Sequence, residues 1–147
     1  MVNLQDFYVA AGKWSCLVQD YIMTVLDVCE VPEDVRDVVL SNAVLAAYEG
    51  QTGIDKEFFV SNPIKLMEST AAMLGKKIRV SVSKKDISKL DDLPSVGYAA
   101  VRWDNNDNSH YALVKNQRLF YNSLANSQCC LKGKITTSRI INIEVIV

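Results

Sequence analysis

The chain of 147 residues is 49% hydrophobic and 22% charged, which fits one globular domain with a sizeable core and excludes a disordered polar tail. Sixteen basic against seventeen acidic side chains leave a net charge of −1, so no global basic field draws nucleic acid or an anionic membrane. A single histidine excludes chemistry that needs two imidazoles, HExxH zinc sites among them.

Nearly uncharged stretches stay below the ~18–20 residues that span a bilayer. No basic segment followed by an apolar run opens the chain, so no signal peptide is expected. Cys16, Cys29, Cys129 and Cys130 show no CxxC spacing, and all four are expected as reduced thiols in a cytoplasm-like compartment. Cys129 and Cys130 are expected to pack or to sit in a loop. The ligand spacing of a metal site is missing, and no cofactor is called for.

Three helices are predicted in the first half. Leu17, Val18, Tyr21, Ile22, Val25, Leu26 and Cys29 recur at helical spacing, with Gln19, Asp20, Thr24 and Asp27 assigned to the other face. Ser15 reads as the N-cap, which places Cys16 in the first turn. A second helix is expected from Pro32, with Glu33 and Asp34 complementing the dipole, to about Gly50. Ser61-Asn62-Pro63 opens a third, which Gly75 ends.

The period then changes from helix to strand. Ile78, Val80 and Val82 alternate with Arg79, Ser81 and Ser83, and further strands are predicted over 96–103, 111–115, 118–121 and 140–147. The polar run from Asp104 to Ser109 reads as a turn or loop, as do Lys84-Lys85-Asp86 and Lys132-Gly133-Lys134. Short connections favour antiparallel pairing, so the expectation is one α+β domain over residues 1–147.

One constellation carries chemistry. His110 stands where the polar loop enters the strand His110-Tyr111-Ala112-Leu113-Val114, a position that suits proton transfer. Twelve residues on, Asn122 follows Phe120-Tyr121 and offers an amide to accept the imidazole N–H and fix its tautomer. Cys16, at the positive end of a helix, is expected to have a lowered pKa and to pair with His110 as thiolate and imidazolium.

A two-residue turn at Asn116-Gln117 makes Lys115 face Arg118 and sends Asn122 to the opposite side of the sheet from His110. A bulge or a longer loop is needed to put both on one face. Each residue also has an ordinary reading: Cys16 as an inert core thiol, His110 as structural, Trp14 as a cap on the core.

The segments Gly12-Lys13-Trp14-Ser15-Cys16, His110-Tyr111-Ala112-Leu113-Val114 and Tyr121-Asn122-Ser123-Leu124, in that order, resemble the papain-like cysteine peptidase superfamily. Closer still are its small bacterial members, such as the leader-peptide-cleaving domains of bacteriocin export transporters. Phe58-Phe59-Val60-Ser61-Asn62-Pro63 with Asn122-Ser123-Leu124 is also similar to an uncharacterised family of small spirochaete plasmid proteins. The resemblance implies a papain-like fold with helices packed on an antiparallel sheet, and a thiol hydrolase that cleaves a peptide or amide bond.

Cys16 would be its nucleophile, His110 the proton carrier and Asn122 the orienting residue, acting on a peptide or protein rather than nucleic acid or membrane. The superfamily's upstream glutamine, six residues before the nucleophile, is replaced by Ala10, which leaves Gln5 or Lys13 to assist the Cys16 N–H at the oxyanion. Trp14 is expected to wall the cleft. The alternative implied by the same fold is an inactive module that binds a peptide or protein.

Overall fold

Asn3 begins the first element. Its Oδ1 accepts the backbone N–H of Asp6 and caps α1 (Leu4–Trp14). The structure is a computed structural model that describes residues 3–105, 108–123 and 133–147. Helix α1 adds a fourth helix to the three predicted. It was hidden because Tyr8, Val9 and Trp14 on its surface are apolar yet exposed, which blurs the periodic stripe around buried Phe7.

Helix α2 (Cys16–Val28) starts where expected, with Ser15 at the N-cap position. The Ser15 hydroxyl does not cap it, however. It donates to the Ala11 carbonyl of α1 and accepts the Gln19 amide, joining the two helices at a corner. Pro32 leads into a 3-10 turn (Glu33–Val35) and then α3 (Arg36–Gly50). Asn62 Oδ1 accepts the Lys65 N–H, and Pro63 opens α4 (Pro63–Met73) as its capping signal predicts.

Five strands follow: β1 (Ile78–Asp86), β2 (Tyr98–Asn105), β3 (Asn108–Lys115), β4 (Arg118–Tyr121) and β5 (Lys134–Val145). All pair antiparallel in the order β1-β5-β2-β3-β4. Among the described residues four α-helices pack with a five-stranded sheet, and the protein is therefore α+β. Several expected loops are strand instead: β1 runs through Lys84-Lys85-Asp86, β2 and β3 consume most of the polar run, and Lys134 opens β5. Ladder pairing with a neighbouring strand satisfies these polar backbones as well as apolar ones. Cys129, Cys130 and Lys132 lie outside the described residues.

Helix α2 packs against α3, α4 and the middle of the sheet, so its supposed polar face is not solvated: Asp20 and Thr24 are fully buried. One core joins Val18, Ile22 and Leu26 to Leu66, Met67, Leu113 and Ile141; a second, smaller one on the far face joins Val101, Trp103, Ala112 and Val114 to Ile87 and Leu93. No helix among the described residues is long and apolar enough to cross a membrane.

Candidate active site

The hairpin between β3 and β4 decides whether His110 and Asn122 can meet. Asn116 and Gln117 both have positive φ (53° and 66°) and Lys115 pairs with Arg118, so the turn has two residues of the primed type. Beyond it the register shifts. Val114 pairs with Leu119 but Leu113 with Tyr121, which makes Phe120 the extra residue of a bulge. Tyr121 then shares the helix-facing side with Leu113, and its hydroxyl donates to Gln19 Oε1 at 2.6 Å. Asn122 shares the opposite side with Ala112 and His110, and its Oδ1 stands 2.7 Å from His110 Nε2. The turn and the bulge are both present, and the bulge supplies the common face.

With Oδ1 accepting from Nε2–H, the neutral ring carries its lone pair on Nδ1. His110 is 6% exposed, opposite Trp103 on β2. Burial pushes its pKa below the ordinary value, and the bond to Asn122 pulls part of the way back. The imidazole is neutral at pH 7.

Cys16 approaches the same strand from the helical side. The backbone N–H of Tyr111 donates toward its sulfur, so the thiol lies against the peptide link that joins His110 to Tyr111. The backbone N–H groups of Leu17 and of Cys16 itself, in the first turn of α2, act on that sulfur too. The expected lowering of the thiol pKa is nevertheless reversed. Burial pushes it up and the charge of Asp20 adds to that, which outweighs the three backbone donors. The resting pair is thus thiol and imidazole rather than thiolate and imidazolium. Among the described residues no hydrogen bond joins the sulfur to the ring: the sulfur meets β3 from the helix-facing side, and the His110 side chain is on the other side with Trp103 and Ala112.

The sulfur opens onto a cleft of about 830 Å³ lined by Trp14, Tyr111, Phe59, Lys84, Arg102 and Arg139 among others. Trp14 is 61% exposed at the end of α1 and walls this cleft instead of capping the core. Gln5 is on the surface in the first turn of α1, about 15 Å along the helix from the corner before Cys16, and does not line the cleft. The side chain of Lys13 is outside the described residues.

The loop between α3 and α4 forms the roof. Gly53 (φ +76°) lets the chain pass so close to Asn62 that a Cβ there would lie 2.3 Å from its carbonyl oxygen. Ile54 then bridges Val60, and Asp55 Oδ1 accepts the N–H groups of Glu57 and Phe59. Phe58 is held at φ +62°, a conformation that strains a bulky residue by on the order of 1–3 kcal/mol. Its ring is stacked on Tyr48 at 5.1 Å. With Phe58 anchored inward, Phe59 is turned outward over the cleft, 68% exposed.

One further buried group adjoins the site. Asp20, one turn after Cys16, is fully buried with both carboxyl oxygens unpartnered among the described residues, and burial raises its pKa well above the carboxylate range. Its only sequence signal is an aspartate four residues after the cysteine on one helix. Among the described residues no three potential ligands cluster as a metal site. Comparison with protein-family models, with curated proteins and with solved structures gave no match to this chain.

Proposed function

We propose that the chain is a papain-like thiol hydrolase that cleaves a peptide or amide bond. The observation that carries this reading is the 2.7 Å contact between His110 Nε2 and Asn122 Oδ1, made by a strand bulge, on the same strand whose Tyr111 N–H reaches the Cys16 sulfur from the other face. An amide that fixes the ring leaves Nδ1 as a base.

As the Cys16 sulfur attacks the substrate carbonyl, its proton passes to His110 Nδ1 and the C=O pair becomes an oxyanion facing the Cys16 N–H. Collapse breaks the C–N bond, and Nδ1–H protonates the leaving amine. Water, deprotonated by the same nitrogen, then hydrolyses the thioester to acid and thiol. The His110 ring lies on the face of β3 away from α2, beside Trp103, and does not line the cleft onto which the sulfur opens, so this transfer requires the strand mouth to rearrange when substrate binds.

A peptide bearing an electrophilic warhead tests this better than a simple alkylator, because proton transfer accompanies attack. Peptide mapping by mass spectrometry should find Cys16 modified ahead of Cys29, and His110→Ala should slow that reaction by about a hundredfold or more. Equal labelling of the two cysteines, or a rate unchanged in His110→Ala, sinks the enzyme reading.

The second reading, a peptide-binding module without catalysis, is favoured by the raised thiol and by the placement of Gln5 far from the cleft. It predicts peptide binding with no His110-dependent labelling.

A further inference from the structure

We propose that the Cys16 cleft selects an acidic peptide, one that sets a bulky apolar side chain against Trp14 and Phe59 and a carboxylate against Lys84 and Arg139. This rests on reading the cleft as the substrate site and names the substrate class. The cleft floor is the helix-facing side of the sheet where it extends past the start of α2. There Lys84 on β1 and Arg139 on β5 are directly paired positions, so two cationic side chains rise from one part of the cleft floor.

The third cation, Arg102, is already paired with Asp104 at 2.9 Å. Among the described residues neither Lys84 nor Arg139 has a carboxylate partner. Arg139 instead lies over the Tyr111 ring, 5.8 Å from its centroid, beside the strand that touches the Cys16 sulfur. The cleft that holds the thiol therefore offers two cationic side chains that a bound carboxylate can pair with.

The opposite wall is apolar. Trp14 and Phe59 are both largely exposed, and the strained conformation of Phe58 keeps Phe59 over the cleft. A structure that holds two large aromatic rings toward water beside an unpaired cationic floor fits a ligand that is apolar at one end and anionic at the other. A single nucleic-acid strand also combines planes and negative charge. The acidic peptide is favoured because one of the three cations is neutralised, Glu57 stands at the rim, and the chain as a whole is at net charge −1.

The test uses the full chain carrying Cys16→Ser, so that bound peptide is not consumed. Fluorescein-labelled Gly-Phe-Glu-Glu-Gly, its Lys-Lys counterpart, its Ala-for-Phe counterpart and an oligothymidine are compared by anisotropy. The acidic peptide is expected to bind about tenfold more tightly than the lysine peptide, with the difference shrinking at high salt. Lys84→Gln, exposed on β1, and Arg139→Gln should each remove much of that preference, and Arg139→Glu should reverse it.

Equal affinity for the two charged peptides, a preference unchanged in Lys84→Gln and Arg139→Gln, or tighter binding of the oligothymidine overturns the proposal. Selective binding of a peptide that the wild-type protein leaves uncleaved upholds it while removing the hydrolase reading. Conversely, His110-dependent labelling by warhead peptides without charge preference overturns it and leaves the hydrolase reading standing.

Discussion

Helix α2 carries two aspartates two turns apart in contrasting surroundings. Asp27, near its C-terminal end, accepts Arg36 Nη1 at 2.9 Å, Lys115 Nζ at 2.7 Å and the Tyr98 hydroxyl, so one carboxylate fastens α2 to the start of α3 and to two strands. Asp20, near the N-terminal end, is buried with no partner for either oxygen among the described residues. The first end is built for stability. The second tolerates an unfavourable carboxyl one turn from the thiol, as protein sites that trade stability for chemistry commonly do.

The largest effect should come from breaking the clamp. Asp27→Ala leaves Arg36 and Lys115 without their shared anion and should destabilise the fold by about 3–5 kcal/mol, read as a lower midpoint in urea. Burial alone would raise the Asp27 pKa, but its bonds to Lys115, Tyr98 and Arg36 outweigh burial and hold it below the usual carboxylate range. Its stabilisation is therefore complete above about pH 4 and is lost as pH falls through the lowered folded value. A variant as stable as the wild type, or one whose acid unfolding curve matches it, removes the clamp from the account.

Asp20 should behave in the opposite sense. Its folded pKa lies above the unfolded one, so the folded chain keeps a proton that the unfolded chain releases. Stability is then greatest below about pH 4 and drains away as pH rises toward the folded value. Asp20→Asn removes that penalty and should be more stable than the wild type at pH 7, read as a higher midpoint in urea, with the gain vanishing in acid. If Asp20→Asn loses stability at neutral pH, the carboxyl has a partner after all and the two ends of α2 are alike.

Part of this contrast was legible in the residues and part was not. The apolar spacing of α2, the Asn62-Pro63 start of α4 and the alternation in β1 are dense local signals, and each appears where its pattern predicts. The burial of Asp20 was not legible, because a helix covered by α3, α4 and the sheet has no solvent face and period alone cannot say how many sides are covered. The rise of the Cys16 thiol was missed for the same reason: the helix dipole can be read from position, while desolvation depends on what packs above. The bulge at Phe120 could be stated as a requirement of the His110–Asn122 pair. No residue type announces it, since a bulge is one extra residue in otherwise ordinary strand.

The smallest expected change is the most direct probe of the site. Asn122 stands half-buried at the end of β4, so Asn122→Ala should change stability by only about 1 kcal/mol. Its consequence for His110 is specific. The bond from Nε2–H to Asn122 favours the protonated ring and partly offsets the depression caused by burial, so its loss should move the His110 midpoint further down. With one histidine in the chain, its ring C–H resonances report that midpoint without assignment. A titration unmoved by Asn122→Ala means the amide does not hold the imidazole, and Nδ1 then has no fixed direction in which to face the thiol. A lower midpoint together with slower warhead labelling ties the orientation of the ring to the reactivity of Cys16, which a merely structural asparagine would leave unchanged.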